Sequence, residues 1–504
     1  MTIRSATEIE RTFEFSASQP APDLVGVGGI ATVQTLADEL LDATYYDTAD
    51  FRLASQRTTL RRRRGGRDAG WHLKLPLGGD AREEITAPLG RSTVVPGELR
   101  TLVLSRVRAE PVRPVVRLRT ERTVRLLLDG AGSVLAEFAD DRVVGETLGA
   151  DRRRVVWREL EVELVAGDHT VLDAVGKRLV ASGARASARP SKLARTLEGL
   201  LPASGPVLPR RPTAADAVLQ HLHEQLAELI SRDPGVRRDA PDAVHKMRVA
   251  TRRLRSALLT YRPLLDRDQG DPLRAELKHL AAVLGEARDA EVLRARLGAQ
   301  IAELPAELVN LAVIDRIDQH LNERHRQAHA RVVAELSGPR YLALLAALDA
   351  FVTDPPWQGR AKRPAGRQLR RQVRSAVGKL DRAAAEAESA PTAEQRDDLL
   401  HEVRKTAKQV RYAAESAQAV LGSDAIAMAR RAQKIQEVLG DHQDSVVSRD
   451  RLLDLAGTIE PRGETDFVLG VLYGQERART ATGEDAYLQA RQAFSSKKGR
   501  AWLG

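Results

Sequence analysis

A chain of 504 residues is too long for one hydrophobic core and predicts two or three domains. Its 79 Lys and Arg against 69 Asp and Glu leave a formal charge of +10, which suits an anionic partner such as nucleic acid, an acidic membrane surface or a phosphate polymer. The absence of cysteine excludes a disulfide framework and a thiolate zinc site, and 4% aromatic residues argue against a platform that stacks single-stranded bases.

The start, MTIRSATEIERTF, has no apolar signal region. The most apolar stretch, YLALLAALDAFV from Tyr341, is too short to span a bilayer and contains Asp349, so the expectation is a cytoplasmic protein without membrane insertion. Residues 1–200 read as short alternating segments rich in Val, Leu and Thr between Gly and Asp turns, the pattern of β-strands. Their alternating faces carry charge of both signs. Glu8 and Glu10 share one face with Ile9 opposite, Arg61 and Arg63 share one in LRRRR, and Lys74 stands opposite Trp71, Leu73 and Leu75 in WHLKLP. In VRLRTER, Arg117 and Arg119 oppose Val116 and Leu118; in RELEVEL, Glu159, Glu161 and Glu163 oppose Leu160, Val162 and Leu164. Three glutamates one dyad apart repel one another unless neutralised. An exposed edge strand tolerates that. A closed sheet offers a second arrangement, in which acidic strands hold a hard divalent cation, Mg²⁺ or Mn²⁺, and basic strands face phosphate oxygens.

The ordered set E-I-E-R at Glu8, YYDT at Tyr45, LRRR at Leu60, WHLKLP at Trp71, REE at Arg82, AEFADD at Ala136, ELEVEL at Glu159 and SKLAR at Ser191 resembles the CYTH domain over about residues 1–200. The resemblance implies the antiparallel eight-stranded tunnel barrel, with flanking helices, of the triphosphate tunnel metalloenzymes, which hydrolyse or cyclise triphosphates with a divalent metal. It implies a catalytic and metal-binding set of Glu8, Glu10, Glu159 and Glu161, joined by Asp141 or Glu137 and by Glu163. Phosphate contacts are implied for Arg61, Arg63, Lys74, Arg82, Arg117, Arg119 and Lys192. The family pattern E-x-E-x-K begins at Glu8 and Glu10, but Thr12 stands at its lysine position, expected on the lumen face. Threonine supplies no charge there, which leaves catalysis weakened, redirected or lost while phosphate binding by the other bases persists.

Composition changes near residue 200. The segment LLPASGPVLPRRPT (Leu200–Thr213) carries Pro202, Pro206, Pro209 and Pro212 and reads as a stiff linker over 201–212. Long Ala/Leu/Arg/Glu stretches with helical period follow, giving a helical-bundle domain over 213–500, within an α+β multidomain chain. The break DPPWQGRAKRPAG divides it into halves at about 213–353 and 367–500. Each half carries a basic stripe. His245, Arg248, Arg252 and Arg255 in HKMRVATRRLR occupy the relative positions of His401, Arg404, Lys408 and Arg411 in HEVRKTAKQVR. Steps of three, seven and ten return to one helical face, while Met247, Thr251, Leu254 and Leu258, and in the second copy Val403, Ala407 and Val410, line another. LGEARD (Leu284–Asp289) and LGDHQD (Leu439–Asp444) follow at similar offsets, so an internal duplication is expected.

One such stripe reads as a solvated face. Two copies of mutually repelling cations point instead to a polyanionic ligand. With these motifs, residues 213–500 resemble the CHAD domain, which implies binding of inorganic polyphosphate, and the domain order is similar to that of bacterial CYTH–CHAD proteins. The expected function is metal-assisted hydrolysis of a triphosphate, inorganic tripolyphosphate first, joined to a polyphosphate-binding domain, with polyphosphate granules as a candidate location. The alternatives are a non-catalytic polyphosphate scaffold with a degenerate CYTH domain, an adenylyl cyclase and a thiamine triphosphatase. Specific nucleic-acid binding is not expected, and no Walker motif is present.

Overall fold

A computed structural model describes residues 3–149, 152–202, 205–305, 310–459, 463–481 and 483–504. The chain falls into two compact units, Met1–Ser204 and Gly205–Gly504. Ala203 and Ser204 of the expected linker lie outside the described residues, as do the side chains of Asp441, His442 and Gln443 in LGDHQD.

The first unit holds strands β1 (Arg4–Glu14), β2 (Thr32–Thr35), β3 (Glu39–Asp47), β4 (Thr59–Arg64), β5 (Gly70–Gly78), β6 (Ala81–Pro88), β7 (Arg113–Leu128), β8 (Val134–Thr147), β9 (Arg154–Leu164) and β10 (Arg185–Ala186). Its helices are α1 (Arg52–Ser55), α2 (Gly97–Val107), α3 (His169–Ala181) and α4 (Lys192–Thr196). Antiparallel pairing runs β1-β6-β5-β4-β3-β7-β8-β9 and returns to β1, closing an eight-stranded barrel. Closure is divided along one strand. Arg4–Ile9 of β1 pair with β6, and Glu10–Glu14 pair with β9. The two short strands β2 and β10 attach to β7 and β1.

The barrel turns its apolar faces outward. Leu60, Trp71, Leu73 and Ile85 are buried beneath Leu99, Leu102 and Val103 of α2. Phe13, Phe138, Leu160 and Val162 are buried beneath Val171, Leu172 and Val175 of α3, whose first turn is capped by Asp168. Each such side chain contributes roughly 1.5–3 kcal/mol when fully withdrawn from water, so the covering helices supply the hydrophobic stabilisation and the lumen is left to charge. One end of the lumen is plugged. Leu193 and Leu197, on α4 and just past it, pack against Tyr45, Val116, Leu118, Val143 and Trp157. At that contact a Cβ on Gly145 would meet Thr196 Oγ1 at 2.5 Å, so only glycine admits the plug.

The second unit is helical: α5 (Ala214–Arg237), α6 (Ala243–Thr260), α7 (Arg267–Ala302), α8 (Leu311–Ser337), α9 (Pro339–Thr353), α10 (Ala365–Glu388), α11 (Ala393–Thr458), α12 (Glu464–Ala481), α13 (Gly483–Ser495) and α14 (Lys497–Arg500). Gly422, at φ 59° and ψ −138°, breaks α11 into two arms. The arms correspond to α6 and α7 of the first half: one carries the basic stripe, the next carries the LG motif. Met247, Thr251, Leu254, Leu258, Val403, Ala407 and Val410 are all buried in the main core, the face expected of them. Buried Ala413, Ala414 and Ala417 sit beside Ser416, whose Oγ lies 2.7 Å from Tyr261 Oη and ties the end of α6 to α11. Among the described residues, no helix is long and apolar enough to cross a membrane.

Candidate functional site

Period-two alternation carries charged rows into the lumen from β1, β4, β5, β6, β8 and β9, while β3 turns Ala43 and Tyr45 inward. Arg61 and Arg63 of β4, Lys74 of β5, Arg82 and Glu84 of β6, Glu8 and Glu10 of β1, and Glu161 and Glu163 of β9 line a narrow cavity of about 80 Å³. Lys192 enters it from the first residue of α4, which Ser191 caps through the amide of Ala194.

The carboxylates form two sets. Asp141, Glu159 and Glu161, opposed across β8 and β9, each offer an oxygen within 4.8 Å of the others. The Lys192 ammonium sits among them, 3.0 Å from Asp141 and 2.7 Å from Glu159, and in contact with Glu161. Arg122 adds two contacts of 2.6 Å, to Asp141 and Glu161. Burial opposes the charge on Lys192, but Glu159, Glu161 and Asp141 outweigh it and hold the ammonium protonated far above its ordinary range. Burial likewise works against the Glu161 carboxylate, yet Lys192 and Arg122 bring its pKa well below the usual value. Three hard oxygen donors at this spacing fit a divalent cation, and the ammonium stands where such an ion would sit.

Glu8, Glu10, Glu84 and Glu163 make the second set, gathered around Lys74. Its Nζ is 2.5 Å from Glu8, 3.6 Å from Glu10 and 3.9 Å from Glu84, and Arg82 lies 3.4 Å from Glu10. Burial pushes the Glu8 carboxyl up to about 8 and Glu163 up to about 7, so near neutrality Glu8 holds a proton and Glu163 is poised between its two forms. Arg63, buried beside Arg61 and Arg122, is pushed down to about 9 and contacts Asp68. His72, also buried, is pushed down to about 4 and lies 3.0 Å from Glu84.

Not every expected residue reaches the lumen. Arg117 and Arg119 lie on the outer face of β7, Arg117 paired with Asp42 at 2.8 Å and Arg119 exposed. The reason is parity. Val116 and Leu118 face inward to meet α4, which places the two arginines outside and brings Arg122 in. Glu137 shares the inward register of β8 but is bound by the exposed Arg67 at 2.9 Å. Thr12 does face the lumen, in register with Glu161. The sequence reading missed Glu84, His72 and Arg122. Continuing the alternation from Leu118 through Thr120 would have found Arg122.

In the second unit both basic stripes meet in one cavity of about 470 Å³. His245, Arg248 and Arg252 of α6 and His401, Arg404 and Lys408 of α11 line it together, joined by Arg288, Arg324 and Arg451, which the sequence reading did not single out. Arg255 and Arg411 fall outside it; Arg411 bonds Glu415 at 2.7 Å. Burial, then Arg252, Arg404 and Arg248, push Lys408 down to about 7. Burial and Arg288 lower His245. The LG motifs supply clearance: a Cβ on Gly285 would lie 3.7 Å from the Arg248 guanidinium, and one on Gly440 would lie 3.2 Å from that of Arg404. The aspartates that close those motifs line the same cavity, Asp444 at 4.0 Å from Arg404.

Residues 6–197 match the CYTH domain family and residues 220–453 the CHAD domain family. A protein of Mycobacterium tuberculosis described as uncharacterized, found in strains CDC 1551 / Oshkosh and ATCC 25618 / H37Rv, is 40% identical over 489 residues, covering 93% of this chain and 92% of the relative. Among solved structures, PptA from Streptomyces chartreusis is 20% identical with a TM-score of 0.47, over 56% of this chain and 99% of that one. The CHAD domain of the plant Ricinus communis is 24% identical with a TM-score of 0.45, over 59% and 93%.

Proposed function

The chain belongs to the family that joins a CYTH domain to a CHAD domain, and on that premise we propose that its barrel hydrolyses inorganic tripolyphosphate with a divalent metal while its helical unit binds inorganic polyphosphate. The observation that carries the first part is the closed lumen that opposes the Asp141–Glu159–Glu161 triad to a row of arginines and lysines. Mg²⁺ or Mn²⁺ held by the triad, with Glu8 and Glu10 toward the same lumen, would neutralise charge on the phosphoryl oxygens. Arg61, Arg63, Lys74 and Arg82 hold the phosphate oxygens and set the chain along the tunnel axis, the positioning that phosphoryl transfer depends on. With a divalent cation on these carboxylates, Lys192 would be free to turn its ammonium to the phosphates. Water is the nucleophile. The proton it releases passes to a lumen carboxylate that is ionised; Glu163, which burial pushes up to about 7, is poised to accept it near neutrality, whereas Glu8, pushed up to about 8, already holds a proton there.

In the helical unit, His245, Arg248, Arg252, His401, Arg404 and Lys408 surround one phosphate chain from two sides. A non-catalytic scaffold is the second reading, favoured by the uncharged Thr12.

Phosphate release from tripolyphosphate, ATP and thiamine triphosphate with Mg²⁺ and with Mn²⁺ tests the reading. Tripolyphosphate is expected to turn over fastest, and Glu159→Gln to abolish turnover. A folded sample that binds polyphosphate but releases phosphate from none of the three is a scaffold.

A further inference from the structure

Outside the barrel wall at Thr12 lies a much larger cavity, about 1290 Å³, whose lining shares Glu10, Thr12, Arg82 and Pro190 with the tunnel. The wall is thin at this place. The β1–β6 pairing stops at Ile9–Ala81 and β10 takes up β1 only at Phe13; between them run single bonds, Glu10 N to Asp80 O at 3.3 Å and Ser187 N to Thr12 O at 2.9 Å. The short side chain of Thr12 stands at this junction, where a lysine would project a charged stem.

The charge of the outer cavity is cationic. Of its carboxylates, Asp80 and Asp173 are both taken by Arg11, at 2.8 and 2.7 Å, and Glu10 lies 3.4 Å from Arg82, which also lines it. Arg57 and Lys177 line it with exposed side chains, while Arg189, beside the junction, is held by Glu14 and by Glu198 at 2.9 Å and is not among the loose cations. The lining also lacks a stacking surface for a heterocycle. Its aromatic residue among those described, Phe13, is buried in the core beneath α3. Loose cations without an aromatic platform suit phosphate oxygens, not a nucleobase or a thiazole.

We propose that this cavity is a second phosphate subsite, which holds the continuation of a chain whose end lies in the tunnel, so that the barrel shortens linear polyphosphate of more than three phosphates from its end. The proposal rests on the reading of the tunnel as a phosphate site. In each turnover a water oxygen bonds the terminal phosphorus as its bond to the bridging oxygen breaks. Orthophosphate and one proton are released, and the chain, one phosphate shorter, leaves with the electron pair on its new terminal oxygen.

Two readouts on the full chain test it, with tripolyphosphate and a linear polyphosphate of several tens of phosphates as probes. In the first, Arg57→Ala with Lys177→Ala raises KM for the long chain at least fivefold and leaves KM for tripolyphosphate within twofold. The second needs no turnover: the long chain, but not tripolyphosphate, protects Lys177 from amine acetylation read by mass spectrometry, and Thr12→Lys removes that protection. Protection that persists in Thr12→Lys comes from a chain bound elsewhere and overturns the proposal, as does no protection or an equal KM change for both probes. Absence of turnover with protection intact refutes the hydrolytic step and the reading of the tunnel as an enzyme, and leaves the subsite standing.

Discussion

The tunnel and the helical groove are both built from buried cations, but they keep them in different ways. In the tunnel cations lie directly against carboxylates: Lys192 and Arg122 against Asp141, Glu159 and Glu161, Lys74 against Glu8 and Glu10. In the groove, cations outnumber the lining Asp289 and Asp444, and burial together with Arg252, Arg404 and Arg248 pushes the Lys408 ammonium down to about 7 while that of Lys192 is held up. Where each cation already has a carboxylate partner, a ligand would enter by exchanging partners. A groove with excess cations carries repulsion that a bound polyanion would relieve, and the affinity of the proposed polyphosphate ligand is expected to fall steeply with salt as counterions are released.

The largest effect expected from this contrast is on folding. Lys192→Met takes the shared cation from three buried carboxylates and leaves Arg122 beside two of them, and removing one partner from such a cluster costs about 3–5 kcal/mol. Urea unfolding of the barrel is the measurement. Because the ammonium stands where a cation would sit, Mg²⁺ or Mn²⁺ is expected to restore more stability to the variant than it adds to the wild type. A loss below about 1 kcal/mol would show that the triad is not held by Lys192.

Next comes binding in the groove. Arg248→Ala with Arg404→Ala removes one guanidinium from each repeat. Charge-assisted contacts contribute about 1.5–3 kcal/mol each, so polyphosphate affinity should fall about a hundredfold or more, with a shallower salt dependence. The apo fold is expected to gain slightly, since repulsion around Lys408 is relieved. Unchanged affinity in this double variant would remove the twin stripe as the binding surface.

A smaller effect follows from Lys408 itself. Its folded pKa lies below the unfolded value of 10.5, so between those two limits the unfolded chain binds more protons and apo stability rises with pH from about 7 upward. Polyphosphate binding runs the other way. The chain favours the protonated ammonium, so affinity falls as pH rises past 7, by at most about tenfold per pH unit for one linked proton. His245, lowered by burial, adds its charge only below its ordinary range. Lys408→Arg should flatten the profile above pH 7, as isothermal titration at several pH values would show.

Much of this was legible in the sequence, and the failures have physical causes. Alternation fixes which residues share a strand face but not which face is the lumen, and the tunnel inverts the usual choice by placing charge inside. For β4, β5 and β9 the apolar partner set was the outer one, so Arg61, Lys74 and Glu161 fell inward. In β7 the apolar set Val116 and Leu118 is needed inside to receive α4, and Arg117 and Arg119 went outward for that reason alone. Such a contact, between Val116 or Leu118 and Leu193 or Leu197, has no local signal. In the helical unit the stripes and core faces follow directly from the 3.6 period. The third and fourth walls of the groove, Arg324 and Arg451, come from α8 and the far arm of α11, which no periodicity connects to the stripes.

The smallest effect separates the two repeats from each other. Helical glycine replaced by alanine normally stabilises by up to about 1 kcal/mol, so Gly285→Ala and Gly440→Ala should both stiffen their helices. Their clearances differ. At Gly285 the new methyl would sit 3.7 Å from Arg248, an ordinary contact; at Gly440 it would sit 3.2 Å from the end of Arg404, which must yield by a few tenths of an ångström. A guanidinium is the far end of a flexible chain and moves cheaply, so neither variant should unfold. Arg404 is nonetheless displaced from the wall it shares with Lys408 and His401. Gly285→Ala is therefore expected to leave polyphosphate affinity unchanged and Gly440→Ala to lower it about two- to threefold, a few tenths of a kcal/mol. Equal effects in the two variants would mean that both repeats hold their arginines with the same freedom, and that the tighter seat of Arg404 has no bearing on the ligand.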